Sequence, residues 1–315
     1  MLRVAEIPDP MAAANEVLIR VVSAGVNRAD LLQRRGSYPP PPGAPDTLGL
    51  EVAGVIEAVG DAVHDWSAGD RVMALLEGGG YAELARARAT QVVRVPDTLP
   101  LGDAGAVPEV FITAHDNLFT RAHLQAGEAV LIHGGAGGVG TAAIQLARCH
   151  GCRVIVTAGS AAKVHACVEL GADGGINYNA EDFVVRTLDE TGDDGADVIL
   201  DVMGAAYLER NIEALAGDGR IVVIGLQGGT HAELDLSMLN RKRGSITATH
   251  LRNRPAAQKA KIVAAFARDV IPALAAGTMR PVIDRVFPLD DVADAHRLLE
   301  SGAVIGKVVL QVAAG

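Results

Sequence analysis

Gly135, Gly137 and Gly140 form a G-x-G-x-x-G inside the run HGGAGGVG (133–140). The run follows the apolar stretch EAVLIH and opens VGTAAIQLARCH, whose apolar residues recur at helical spacing. A strand, a glycine loop and a helix in that order make an anion cradle, because the first helical turn presents N–H groups without intrahelical partners and its dipole favours negative charge. The spacing assigns a tight turn to Gly135, close backbone approach to a pyrophosphate to Gly137, and helix-to-strand packing to Gly140, with Ala136, Gly138 and Val139 completing the loop. The chemistry expected of these residues is the binding of a dinucleotide.

About 20 residues beyond such a loop, an Asp or Glu usually accepts the ribose hydroxyls. In RVIVTAGSAAK (153–163) that place holds Ser160, preceded by Gly159 and followed one turn later by Lys163. Gly159 leaves space, Ser160 offers a hydroxyl at a helix start, and Lys163 brings an ammonium; a 2′-phosphate needs these features, so NADPH is expected rather than NADH. Tyr178, after the next short strand, is placed to cover the phosphate or the adenine. Ser160-x-x-Lys163 also matches the S-x-x-K of serine acylases, but neither S-D-N nor K-T-G follows. Cys149 and Cys152 form a C-x-x-C that closes the helix after the loop, where the dipole disfavours a thiolate, and there is no second such pair to complete a zinc site. His115, His133 and the other histidines show no partner spacing and read as core or surface residues.

These residues need a framework to hold them. From Gly127 onward, apolar strand runs (EAVLIH, RVIVTA, GGINYN, ADVILDV, GRIVVIG) alternate with segments of helical periodicity (VGTAAIQLARCH, AAKVHACVELG, EDFVVRTLDE, AYLERNIEALA), a pattern that predicts a doubly wound parallel sheet in an α/β fold. The first 110 residues or so read differently. EVLIRVVSAG and LEVAGVIEAVG alternate over short distances between Gly and Pro, predicting small twisted β-sheets. After SITATHL and the long helical segment AAQKAKIVAAFARDVIPALAAG, short strands return at PVIDRVFPL and IGKVVLQV, so both ends of the chain are expected to form one split domain interrupted by the nucleotide-binding insert. YPPPPG (38–43) reads as a rigid surface lobe.

Composition excludes several classes. With 315 residues, 49% hydrophobic and 21% charged, the chain has ample material for a core and for two domains. A net charge of -10, no long basic run and only 3% aromatics argue against a nucleic-acid partner. No apolar stretch is long enough to span a bilayer, and MLRVAEIPDP lacks the marks of a secretory leader, so no membrane association and a cytoplasmic location are expected. Three cysteines fit a reducing compartment.

The run Gly127, Glu128, Leu131, Gly135, Ala136, Gly137, Gly138, Gly140, Gln145 and Arg148, extended by NRADLLQRRGSYPPPPG, LGLEVAG, GDRVMALLEGGGYAE, IPALAAG and IGKVVL, resembles the quinone oxidoreductase and zeta-crystallin branch of the medium-chain dehydrogenase/reductases, and within it the p53-inducible NADPH:quinone oxidoreductase type. The resemblance covers almost the whole chain. It implies a split GroES-like, mainly β catalytic domain (1–111 and 251–315) and a Rossmann NADPH-binding domain (112–250). It also implies an absence: where zinc relatives carry Cys-His, a His and a Cys, the matching positions hold Asn27-Arg28, Leu50 and Glu109, so a zinc-independent enzyme is expected. A quinone taking hydride yields a delocalised phenolate, so no Lewis acid is required and positioning becomes the main task. From matching positions in relatives, Asn27 is expected as a hydrogen-bond donor and Tyr38 as an aromatic wall of the acceptor pocket, and Thr113 beside the nicotinamide ribose. IGLQGG (224–229, with Gly225 and Leu226) and THLRNR (249–254, with Leu251) follow strands whose carboxyl ends face the cofactor and are expected to close over the nicotinamide end. Relatives begin with a strand ahead of LRVAEIPDP, which is expected either to be absent or to precede residue 1. A homodimer is the implied assembly. Two further readings use the same residues: reduction of an activated double bond in alkenals or enones, and non-enzymatic nucleotide binding.

Overall fold

Residues 2–313 are described by a computed structural model and divide into two units, one from the first 112 residues together with those from Leu251 onward, the other Thr113–His250. The first unit starts with β1 (Glu16–Val26), where buried and less buried residues alternate up to Val21 and every residue beyond is buried. β2 (Glu51–Val59), β3 (Arg71–Leu75), β4 (Leu84–Arg88) and β5 (Val92–Arg94) follow, with β1 antiparallel to both β2 and β4, and β3 antiparallel to β2 and β5. A single seven-stranded sheet results, rather than several small ones.

The second unit contains β6 (Ala129–His133), β7 (Arg153–Ala158), β8 (Gly174–Asn177), β9 (Ala196–Asp201), β10 (Leu215–Val223) and β11 (Ser245–Ala248). All pairings are parallel and the order is β11-β10-β9-β6-β7-β8, the doubly wound arrangement expected from the alternation. Leu131, Ile155, Ile199 and Ile221 are fully buried where the helices cover the sheet. Strand order reverses between β6 and β9, and a crevice for a ligand opens beyond the carboxyl ends of those two strands.

Back in the first unit, β12 (Ile283–Pro288) and β13 (Lys307–Gln311) complete the sheet, β13 pairing antiparallel with β1 and parallel with β12. Val17, Ile19, Val52, Val72, Val308 and Leu310 form its core, joining strands from both ends of the chain.

Two segments depart from sequence periodicity. AYLERNIEALA is α-helical only over Leu208–Glu213, after a 3₁₀ turn (Gly204–Tyr207), and stops there because Leu215 is fully buried and pairs with Ala196 as strand. The long helical segment is broken into Ala256–Asp269 and Ile271–Ala275, since Pro272 lacks an N–H and its ring excludes a carbonyl one turn back.

Candidate functional site

The glycine loop connects β6 to the helix Gly138–Cys149. The left-handed backbone that makes its turn falls on Gly134 (φ 68°) rather than on Gly135, correcting the expected division of labour. Gly135 is required for packing instead: a Cβ there would lie 2.6 Å from the Cβ of Val156 on β7. At Gly140 a Cβ would meet the carbonyl oxygens of Gly134 and Gly135 at 2.4 and 2.5 Å, so the helix start presses directly on the loop. Gly137 is exposed, the space around it holds only the Gly134 oxygen, and as N-cap it gives the helix no side-chain cap. The N–H groups of the first turn therefore face open space, and a pyrophosphate fits there. Ala136 is buried and Val139 half-buried.

The second strand ends at Gly159 and Ser160. Ser160 caps the helix Ala161–Glu169, its Oγ accepting from the Lys163 backbone N–H at 3.3 Å, which leaves the hydroxyl proton available to an acceptor. Tyr178 reaches back over this turn, for a Cβ on Gly159 would stand 2.6 Å from its hydroxyl. Asn179, which sequence reading passed over, fixes the same turn by donating Nδ2–H to the Gly159 carbonyl at 2.8 Å. Gly159, Ser160, Lys163 and Tyr178 are thus brought together without a carboxylate from the expected position.

At the crevice between β6 and β9, the buried Asp201 accepts from the Met203 and Gly204 N–H groups at 2.6 and 3.0 Å, and burial pushes its carboxyl up to about 6. The Val202 side chain would lie 3.3 Å from a Cβ on Gly134, and the Val202 carbonyl accepts from Gln227 at 3.1 Å, which seats the IGLQGG loop. There Gly225 allows close approach to the Val202 backbone, while Leu226 is 55% exposed. Thr113 is half-buried on the helix Pro108–His115, its carbonyl accepting from Asn117 Nδ2 at 2.7 Å; Asn117 Oδ1 in turn accepts from Thr249 at 2.6 Å. Asn117 lies in a π-helical turn (Asp116–Arg121), a local signal that sequence periodicity does not carry. His133 packs in the core with its ring nitrogens on Thr157 and Asn211 at 3.0 and 2.8 Å, and burial pushes it down to about 4.

The first unit holds Asn27, Tyr38 and Leu251. Asn27 is buried, and its Nδ2 donates to Glu51 Oε1 at 2.8 Å and to the Gly25 carbonyl at 3.3 Å, while its Oδ1 accepts from Lys307 Nζ at 2.6 Å. Its amide donors are committed inside the protein, which departs from the expected donor open to an acceptor. Lys307 and Glu51, 3% and 0% exposed, pair at 2.7 Å, and Glu51 Oε2 also accepts from the Glu109 N–H at 2.8 Å. Sequence reading missed this pair; its signal was a lone charge in each of two apolar strand runs, LEVAG and GKVVL. Beside it, Asp30 accepts from the N–H groups of Asn27 and Gly49 and from the Tyr81 hydroxyl, and burial raises it to about 6.

Tyr38 lies under the Arg252 guanidinium, whose carbon stands 5.4 Å from the ring centre. Arg252 is buried and donates to the Glu77 carbonyl at 2.8 Å, and Glu77 also pairs with the buried Lys259. Residues 251–254 are therefore held in the first unit by Arg252, with Leu251 half-buried beside it, whereas Thr249 belongs to the second unit through its bond to Asn117. Burial, with the Glu109 carboxyl nearby, raises Tyr38. Glu109 itself is pushed up to about 8 by burial and by the charge of Glu51. Among the described residues, no group of three or more His, Cys, Asp or Glu is placed to hold a metal ion.

A β-sheet unit formed by both chain ends, with a doubly wound nucleotide-binding unit inserted, defines the class of two-part dehydrogenases and reductases. Residues 13–97 match the family described as alcohol dehydrogenase GroES-like domain, and residues 170–310 the family described as zinc-binding dehydrogenase. The quinone oxidoreductase of Sus scrofa is 33% identical over 97% of this chain and 92% of that protein. The crystal structure of Escherichia coli quinone oxidoreductase complexed with NADPH superposes with a TM-score of 0.86 at 30% identity, covering 98% of this chain and 95% of the other. A crystal structure described as an NAD-dependent alcohol dehydrogenase gives 0.87 at 31% identity, covering 99% and 96%. The chain belongs to the quinone oxidoreductase family of the medium-chain dehydrogenase/reductases.

Proposed function

We propose that this protein is an NADPH-dependent, zinc-independent reductase that transfers hydride to quinones. The observation that carries the reading is the open, uncapped helix start at Gly137–Gly140, together with the Gly159, Ser160, Lys163 and Tyr178 cluster that lacks a carboxylate. The cradle would hold the pyrophosphate, Ser160 and Lys163 the 2′-phosphate, Tyr178 the adenine side, and Thr113, Gly225, Leu226 and Leu251 the nicotinamide half. NADPH, when bound, supplies a hydride. The protein's own task is to hold the electron-poor acceptor and settle its charge, with Tyr38 as wall and Asn27, through Lys307 and Glu51, as a positioning residue. Asn27, Leu50 and Glu109 at the three zinc-ligand positions support metal independence, since none supplies a thiolate or an imidazole.

No helix among the described residues is long and apolar enough to cross a membrane. Cytoplasmic residence is supported by three free cysteines, and a homodimer by the outer edge of β11, which among the described residues pairs only with β10 and is mostly exposed. The deciding experiment is steady-state oxidation of NADPH with 1,4-benzoquinone, 9,10-phenanthrenequinone and an alkenal side by side, with metal analysis of the same preparation. Quinone turnover without stoichiometric zinc is expected. Preference for the alkenal would make it a double-bond reductase; binding of NADPH with no turnover would make it a nucleotide-binding protein.

A further inference from the structure

We propose that Asp201 is a positioning residue for the nicotinamide half of the cofactor, setting as one body the two loops that follow β9 and β10. The inference rests on the reading that Gly225 and Leu226 meet the nicotinamide, and it adds the residue that places them. All of the residues involved belong to the second unit.

Asp201 closes β9, one of the two strands between which strand order reverses, and it is fully buried. Its oxygens take different partners: Oδ1 accepts from the Met203 N–H at 2.6 Å and Oδ2 from the Gly204 N–H at 3.0 Å. An ionised carboxyl can only accept, so these two donors fold the chain into a turn directly beyond the strand. Gly204 completes that turn with a left-handed backbone (φ 71°).

The turn decides where three successive carbonyls point. Those of Asp201, Val202 and Met203 accept from the N–H groups of Ile224, Gln227 and Gly228 at 2.8, 3.1 and 2.7 Å, and the Ala205 N–H donates back to the Gly229 carbonyl at 3.2 Å. The IGLQGG loop is thus laced to the turn along most of its length. No room for a further side chain is left between them: a Cβ on Gly225 would lie 2.8 Å from the Val202 oxygen, one on Gly204 2.8 Å from the Leu226 side chain, and one on Gly228 2.7 Å from the Ala206 Cβ. On the phosphate side, the Val202 side chain stands 3.3 Å from the place of a Gly134 Cβ. A shift at Asp201 therefore moves Gly225 and Leu226 relative to the pyrophosphate cradle, whereas the Gly159 and Ser160 turn is held by its own bonds from Lys163 and Asn179. Affinity is then lost only by ligands that carry a nicotinamide.

The test compares the full wild-type chain with Asp201→Asn, which keeps the side chain's size but turns one acceptor into a donor facing an N–H. Calorimetric titration with NADPH, NADH and 2′,5′-ADP separates the two ends, since 2′,5′-ADP carries the adenine and the 2′-phosphate without a nicotinamide. Asp201→Asn should weaken NADPH and NADH alike by about tenfold, the scale of one charge-assisted hydrogen bond, and leave 2′,5′-ADP within about twofold of wild type. Gly228→Ala, which forces the loops apart without touching the carboxylate, should give the same split. A folded Asp201→Asn chain that binds all three as wild type does, or that loses 2′,5′-ADP as fully as NADPH, overturns the assignment. In the wild type itself, hydrogen exchange at the Met203, Gly204, Gln227 and Gly228 amides should slow with NADPH and not with 2′,5′-ADP; equal slowing by both, or by neither, overturns it without any variant. A wild type that binds neither NADPH nor 2′,5′-ADP overturns the cofactor reading, and the assignment falls with it.

Discussion

At Ser160 one atom serves two purposes, since its oxygen caps a helix by accepting from Lys163 N–H while its proton stays free for a phosphate. With no carboxylate at this turn to repel a 2′-phosphate, cofactor choice under the proposed function rests on Ser160 and the Lys163 ammonium. Replacing both with Ala should raise KM for NADPH at least about tenfold, the scale of one or two lost charge-assisted hydrogen bonds, and leave NADH nearly unchanged. Equal losses for the two cofactors, measured by steady-state kinetics, would remove the phosphate assignment. Asn27 teaches the opposite lesson. Its residue type matched the expected donor, yet its protons are bound by Gly25 and Glu51, so the residue acts on Lys307 and Glu51 rather than outward.

Among elements, the loop from β6 into Gly138–Cys149 is the most tightly constrained. Its glycines are fixed by three separate contacts: a left-handed turn at Gly134, the Val156 side chain against Gly135, and backbone oxygens against Gly140. Gly140→Ala has nowhere to place its methyl group, because the obstructing atoms are main chain. It should cost about 1–3 kcal/mol and move the loop, lowering the melting temperature and weakening NADPH binding together. Gly137→Ala, where only one oxygen lies near, should leave the melting temperature close to wild type while still obstructing approach to the phosphates. If thermal melts and binding titrations show no difference between the two variants, the packing account is wrong.

On the scale of the whole molecule, pH couples to stability through its buried titratable groups. His133 is neutral in the core and held down to about 4 by burial, whereas an unfolded imidazole titrates near 6.5. Its contribution is complete above the unfolded value and is lost as pH falls towards 4, because only the unfolded state takes up the proton in that window. The stability difference between wild type and His133→Gln, from denaturant unfolding, should therefore shrink by about 2 kcal/mol between pH 7 and pH 5. A constant difference would show that the ring is protonated or exposed in the fold. Asp201, raised to about 6, works in the opposite direction: its contribution is present below the unfolded value near 4 and is lost as pH rises through 6.

The sequence by itself determined what is local and periodic. Alternating strand and helix patterns prescribed the doubly wound sheet, and G-x-G-x-x-G the glycine turn from its first strand into a helix, because each depends on neighbours within a few residues. Tertiary structure alone decided what depends on partners far apart in the chain. The Glu51–Lys307 pair joins residues 256 positions apart, and Arg252 seats on Glu77 from 175 positions away. A lone charge in an apolar strand announces that a partner must exist, since a buried ion without one is too costly. Which residue answers it is fixed only when β1, β2 and β13 come together in one sheet.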